Sequence, residues 1–479
     1  MNSIQTGRST STAVTSHLHS GYVWIISAAA ALGGLLFGYD WVVIGGAKPF
    51  YETYFRLNSQ ESIGWANSCA LIGCLVGSIV SGFVSDRLGR KKLLIASALL
   101  FAVSSVFTGW AWSFASFIAW RMIGGVAIGI ASNVSPTYIA EISPAMWRGR
   151  LVSLNQVTIV VGILGAQIVN WLIAQQVPAG ATAEQIRISW NGQFGWRWMF
   201  TAVAVPSLIF LFSSLFVPES PRWLVKNRKR EQARSTLVKI GDGRYADDAL
   251  LEIEAALTAE SQHSLNRNEL LSPAMLRVLG IGVFLAVLQQ WSGINVIFNY
   301  AEEVYRNAGY GISGVMFNIV ITGAINLVFT FVALGFVDRI GRRPLMLFGC
   351  AGIGISHLLI GFAYRSHLGG LPLLIFTLAA IACYAMSLAP VTWVLISEIF
   401  PNRIRGAAVS IAVSALWIAS FILTFTFPLI NAAIGSAATF WLYAAICFIG
   451  FAFIWRRVPE TKGRTLEQIE QQLTRVDFK

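Results

Sequence analysis

At 479 residues the chain is as long as two to four soluble domains. Its 55% hydrophobic and only 12% charged residues exclude that organisation, since an average globular chain carries ~25% charged residues. Divided into crossings of roughly 20 residues, the apolar fraction fills about twelve or thirteen membrane helices and leaves little for a water-soluble catalytic domain.

The polar N-terminus lacks the basic and then apolar stretches of a cleavable signal, so the first apolar segment is expected to stay as a membrane helix. Apolar runs predict spans over 22–47, 62–84, 93–112, 114–139, 151–175 and 198–217. After a polar stretch come 276–300, 313–337, 344–364, 371–397, 406–432 and 437–455. The uncharged run 406–455 is too long for one crossing, and Asn431 with Gly435-Ser436 is read as its turn. The predicted fold is therefore all-α, with twelve transmembrane helices in two six-helix bundles over 22–217 and 275–455. A linker over 218–274 joins them, and tails 1–21 and 456–479 flank them.

With both termini cytoplasmic, 27 of the 35 Lys and Arg fall on the cytoplasmic side, as the positive-inside rule requires. The net charge of +12 is thus a topology signal and implies no nucleic-acid partner. The linker mixes nine basic and nine acidic residues. Leu237, Ile240, Leu250, Leu251, Ile253 and Leu257 give it partly amphipathic faces, favouring short helices over a solvated coil. Five cysteines, all in apolar segments, show neither disulfide nor metal-ligand spacing.

Three short patterns occur twice in the same order. Gly82 to Lys91 (GFVSDRLGRK) follows span 2 and Gly335 to Arg343 (GFVDRIGRR) follows span 8, with Asp86 and Asp338 separated by 252 residues. Glu141 with Arg148-Gly149 recurs as Glu398 with Arg405-Gly406, and Pro218-Glu219-Ser220-Pro221-Arg222 recurs as Pro459 to Arg464 (PETKGR). Nearly constant offsets at equivalent loops imply two homologous halves in parallel orientation, the architecture of transporters that rock two bundles about a midplane site. Positive-inside loops alone would explain the basic residues but not the repeated Asp, Glu and Gly.

These motifs, with Gly33 to Asp40 (GGLLFGYD) in span 1 and Gln289 to Asn295 (QQWSGIN) in span 7, resemble those of the major facilitator superfamily and its sugar porter family, over about residues 33–470. The resemblance implies an integral membrane protein that takes a small-molecule sugar and functions as a monomer, and the short, compact loops point to a bacterial inner membrane. No phosphate-binding Gly-Lys-Ser/Thr loop, nucleophile–base arrangement or metal-ligand spacing is present. An ATP-driven pump and an enzyme are therefore not indicated, and no cofactor is expected beyond a proton as coupling ion.

An ionisable residue inside a span is a functional candidate by default, which singles out Asp40 in span 1 and Arg121 in span 4. Two readings stand: a static ion pair that packs helices, or a proton site whose affinity changes as the pair meets and parts. The resemblance favours the second, because proton symporters of the family carry an acid at the position of Asp40 where facilitators have asparagine. Some symporters carry a further glutamate early in span 6, where Val203 stands here. A facilitative uniporter is the alternative. A non-transporting sugar sensor is a third, which the short C-tail opposes.

Sugar hydroxyls match amide side chains and sugar ring faces match indoles. Gln156, Gln289, Gln290, Asn295, Asn326, Trp393 and Trp417 align with residues that line the sugar site in relatives. Taken singly, each amide reads better as a bond between helices, and it is the set that points to the sugar site. Asn299, Ala389 and Leu416 depart from the family pattern. The loop pairs Asp86 and Arg90, Glu141 and Arg148, Asp338 and Arg342, and Glu398 and Arg405 resemble a cytoplasmic network that latches the halves, and are assigned gating. His357 reads as a packed polar residue. Trp110, Trp112, Trp190, Trp196, Trp198 and Trp455 are expected at the membrane interfaces.

Overall fold

The computed structural model describes residues 18–178, 180–262, 272–307, 309–401, 404–464 and 468. Long helices α1 (Ser20–Phe55), α2 (Gln60–Leu88), α3 (Arg90–Gly109), α4 (Phe114–Ile142) and α5 (Arg148–Ile173) come first. The short α6 (Ala183–Ile188) precedes a π turn (Asn191–Gly195), α7 (Trp196–Thr201) and α8 (Ala204–Phe216), which together make the sixth apolar segment. Helices α9 (Pro221–Lys226), α10 (Arg230–Ile240) and α11 (Gly243–Gln262) form the connecting segment. There follow α12 (Pro273–Trp291), α13 (Ile294–Asn299), α14 (Ala301–Asn307), α15 (Ile312–Ile340), α16 (Arg342–Arg365), α17 (Leu371–Met386), α18 (Leu388–Ile399) and α19 (Arg405–Arg457).

Eleven segments of the described residues are long and apolar enough to cross a membrane. The 53-residue α19 is two helices, because Gly435 has φ 80° and ψ 161°. The chain therefore makes twelve crossings, and the turn lies at Gly435, with Asn431 still inside the helix. Other boundaries also shift. α1 runs on through Pro49 to Phe55, eight residues past the expected end of the first span. The tenth span breaks at Ser387 (φ −134°, ψ −90°). Trp196, expected at an interface, is fully buried among Tyr54, Phe55, Phe117 and Phe200.

Small residues set the closeness of the helices, since in lipid it is backbone approach and packing that hold helices together. On α2 and α4 the glycines notch reciprocally. A Cβ added at Gly73 would lie 2.1 Å from Met122 O, and one at Gly125 would lie 1.9 Å from Ala70 O. Gly77 faces Val126 O and Gly129 faces Cys74 O in the same way. On α1 and α5, Gly38 abuts Ile159 O and Gly162 abuts Leu35 O.

The connecting segment is helical, as its patterning predicts. Ala233, Leu237, Ile240, Ala246 and Leu250 are buried, while Leu251 is exposed. Arg230 to Glu254 (2.8 Å) and Arg234 to Asp247 (2.7 Å) tie α10 to α11, and the hydrogen bond from Arg234 holds the Asp247 carboxyl below its usual range. The start of α1 docks here too, His19 N donating to Ile240 O at 2.8 Å.

Candidate functional site

The repeated loop motifs fold into the same local structure twice. Gly89 (φ 92°) and Gly341 (φ 108°) link α2 to α3 and α15 to α16 in a backbone conformation L side chains rarely adopt. A Cβ at Gly89 would fall 2.2 Å from Glu219 Oε2, and one at Gly341 would fall 2.7 Å from Glu460 Oε2. Those glutamates cap the following helices. Glu219 accepts from Arg90 N (2.9 Å) and Lys91 N (3.2 Å), and Glu460 accepts from Arg342 N (3.0 Å) and Arg343 N (3.1 Å). A carboxylate at a helix N-terminus satisfies orphan N–H groups and complements the helix dipole.

At this end of the molecule, Arg90 bridges Asp86 (3.1 Å) and Glu141 (2.9 Å), and Arg342 donates to Glu398 (3.3 Å). The expected pairing of Glu141 with Arg148 is corrected. Arg148 is exposed and forms no ion pair among the described residues, because Arg90, at the N-terminus of α3, reaches Glu141 first. Glu398 is likewise shared by Arg342 and Thr461, while Arg405 donates Nε to Phe400 O (3.3 Å). The side chain of Asp338 lies outside the described residues. Each described pair joins segments on one side of the connecting helices, so none of them bridges from before residue 218 to after residue 272.

Asp40 and Arg121 meet inside the bundle. Arg121 Nη1 donates to Asp40 Oδ1 at 3.0 Å and to Asp40 O at 3.3 Å, with both residues buried. Asp40 Oδ2 and Arg121 Nε are buried without hydrogen-bond partners, and the guanidinium lies 5.5 Å from the Phe200 ring centre. On α1, Phe37 and Trp41 stand one turn apart. They touch residues from beyond the connecting helices, Trp417 at 5.8 Å and Phe298 at 6.2 Å between ring centres. Asp40 is roughly a quarter turn away from them on the same helix.

The span 7 amides form a relay. Asn295 Nδ2 donates to Gln290 Oε1, Gln290 Nε2 to Gln289 Oε1 (3.0 Å), and Gln289 Nε2 to Leu388 O (3.3 Å) and Ala389 O (3.4 Å). The relay runs from the α12–α13 break at Gly293 (φ 83°) to the α17–α18 break at Ser387. His357, fully buried, has Nε2 2.7 Å from Ser292 O. A carbonyl only accepts, so this nitrogen carries the hydrogen and satisfies a backbone group freed by the break.

Gln156 on α5 and Asn326 on α15 make no side-chain hydrogen bond among the described residues. Trp417 is buried with Nε1 unbonded, and Trp393 is the most accessible of the seven candidates at 36%. Sequence reading missed Gln167, whose amide is buried with both polar atoms unpartnered. It also missed Lys48, counted there as a loop residue. Lys48 is 1% exposed on α1 and contacts Glu303 (2.8 Å), Glu52 (3.3 Å) and Glu302 (3.5 Å). Proximity of a lysine to a Glu-Glu pair some 250 residues away leaves no sequence signal.

The family described as Sugar (and other) transporter matches residues 26–473. The D-xylose-proton symporter of Escherichia coli is 38% identical, covering 94% of this chain and 96% of that protein. The arabinose-proton symporter of Bacillus subtilis is 38% identical, covering 96% of each. The inward-open structure of the E. coli xylose transporter superposes with a TM-score of 0.82 at 37% identity, covering 94% of this chain and 99% of that one. A twelve-crossing helical architecture, a doubled loop motif and a match along nearly the whole length agree: the chain is a multi-pass membrane protein of the sugar transporter family, with the major facilitator fold.

Proposed function

We propose that the protein is a proton-coupled monosaccharide symporter, taking a hexose or a pentose across the membrane by alternating access. Asp40 is its proton-carrying carboxylate. The observation that carries this reading is the Asp40–Arg121 pair, a buried carboxylate with one oxygen bonded to arginine and the other free. Symport by relatives alike along nearly the whole chain supports it. The bundles are 22–217 and 275–455, with 218–274 as hinge-side linker and the tails 1–21 and 456–479 cytoplasmic. The Asp86 end then faces the cytoplasm of a bacterial cell and the Lys48 end faces outward, and the functional unit is a monomer.

The chemistry follows from charge. Arginine stays protonated, so the pair changes state only by protonation of Asp40. A proton on Asp40 removes the charge that holds Arg121 and loosens α1 from α4. Loss of the proton restores the pair. Because α1 also carries Phe37 and Trp41 against the second bundle, a shift of α1 is felt at Trp417 and Phe298, and Gln289, Gln290, Asn295, Trp417, Gln156, Asn326 and Trp393 are the residues we assign to hold the sugar. Asp86, Arg90, Glu141, Arg148, Asp338, Arg342, Glu398 and Arg405 serve gating at the cytoplasmic end.

The test is uptake of a panel of labelled sugars into proteoliposomes, with and without an imposed pH gradient, for the wild type and Asp40→Asn. Accumulation that vanishes in the variant while equilibrative exchange persists supports symport and names the sugar. A wild type that only equilibrates and ignores the gradient replaces symport with uniport.

A further inference from the structure

Among the described residues, the only ion pairs joining a residue before 218 to one after 272 are those of Lys48 with Glu302 and Glu303. They tie α1 to α14 at the end opposite Asp86. Glu52, one turn along α1, also faces Lys48, and Arg306 reaches Glu302 at 3.1 Å. Aromatic groups complete the surroundings. The Tyr300 ring centre is 5.5 Å from Lys48 Nζ, Tyr51 is buried beside it on α1, and Tyr364 of α16 closes over α14 by bonding Val304 O at 2.7 Å. The next charges inward on α1 and α4 are Asp40 and Arg121, which pair with each other. Helix α15 presents no charged residue to this end.

The charges do not balance. Three carboxylates face one buried ammonium, and the second cation, Arg306, is 60% exposed and screened by water. Even counting Arg306 fully, one negative charge is in excess. A buried excess charge is costly and is relieved by binding a proton. Glu303 Oε2 is buried with no hydrogen-bond partner, whereas Glu52 Oε1 has only the 3.3 Å contact with Lys48 Nζ. Glu303, at 21% exposure the most accessible of the three, offers the path from water.

We propose that Lys48, Glu52, Glu302 and Glu303 form a second proton-binding site, which takes up a proton from the outer solution as α1 closes on α14 and releases it as they part. When the helices separate, each carboxylate is hydrated and needs no proton. Acid therefore favours closure of this end, and alkali favours opening. The charge count makes the two partners act in opposite directions. Glu303→Gln removes the excess charge and keeps the end closed at every pH, whereas Lys48→Met raises the excess and opens it.

The inference rests on the alternating-access reading, and its test needs neither sugar nor transport, so the two can fail separately. Spin labels at Asn58→Cys and Ser366→Cys, on exposed turns at this end, are placed in the full-length chain with its five native cysteines changed to alanine, in liposomes. Their distance distribution is recorded from about pH 4 to about pH 8.5, a range that begins near the ordinary glutamate pKa of ~4.3. The expected result is a longer-distance population that grows severalfold with pH in the wild type, stays minor in Glu303→Gln and dominates throughout in Lys48→Met. A pH-independent wild type overturns the proposal whatever the variants do. Glu303→Gln opening as Lys48→Met does overturns it too, since that is the behaviour of a plain ion-pair latch.

Discussion

Arg121 holds one oxygen of Asp40 at 3.0 Å and leaves the other buried and unbonded, so the carboxylate is half satisfied. A carboxylate locked by two donors would be a structural strut. One with a vacant acceptor in a dry environment has somewhere to put a proton without first breaking its ion pair.

Neutralising the acid should hurt more than removing the arginine. Asp40→Asn strands a buried guanidinium that cannot shed its proton, and loss of one partner of a buried pair costs ~3–5 kcal/mol where the other stays charged. Arg121→Leu leaves a carboxyl that becomes neutral by taking up a proton. Thermal unfolding in detergent should rank wild type, Arg121→Leu and Asp40→Asn in falling order, and an Asp40→Asn chain as stable as the wild type would show that the pair does not hold α1 to α4.

The two capping glutamates should behave alike because their surroundings repeat. Glu219→Ala and Glu460→Ala each remove charge-assisted bonds to two backbone N–H groups, worth ~1.5–3 kcal/mol apiece before water replaces them. Hydrogen exchange at the first turns of α3 and α16 should speed up by about tenfold or more. Fraying at one site only would mean that the repeat is geometric without being energetic.

Breaking the amide relay should weaken sugar binding in steps. Gln289→Ala removes the tether to Leu388 and Ala389 as well as a polar group, so it should raise the sugar Kd by about tenfold to a hundredfold. Asn295→Ala leaves Gln290 Oε1 unpaired and should cost less. Calorimetric titration with the sugar identified by uptake checks the order, and unchanged affinity in both variants would remove the relay from the binding site.

His357 should matter for stability and not for coupling. His357→Leu leaves the Ser292 carbonyl inside the bundle with only the weak Cys447 Sγ donor at 3.6 Å, at ~1–3 kcal/mol, while the pH profile of uptake keeps its shape. A shifted profile would make His357 a titrating participant.

Long-period patterns were legible in the sequence, and pairings across helices were less so. Hydropathy located the crossings because each needs its own apolar stretch. The break in the tenth span lies at Ser387, three residues ahead of Pro390, since a proline in the first turn of α18 is tolerated. Glu141 was matched with the near Arg148, although the partner that reaches it is Arg90, 51 residues away. Lys48 was hidden for a different reason. Charges near span ends are expected to meet water, and only the tertiary structure shows that α1 continues past them and buries this one.

The notched contact between α2 and α4 also limits how the protein can be engineered. Replacing helical glycine by alanine is a standard route to thermostability, because it narrows the unfolded ensemble. At Gly73, Gly77, Gly125 and Gly129 the added methyl would strike the backbone of the facing helix, which cannot rotate away as a side chain can. The helix pair is rigid because side chains are missing there. A hardened variant for crystallography or biosensing has to be sought at glycines such as Gly280 or Gly335, where a Cβ meets nothing.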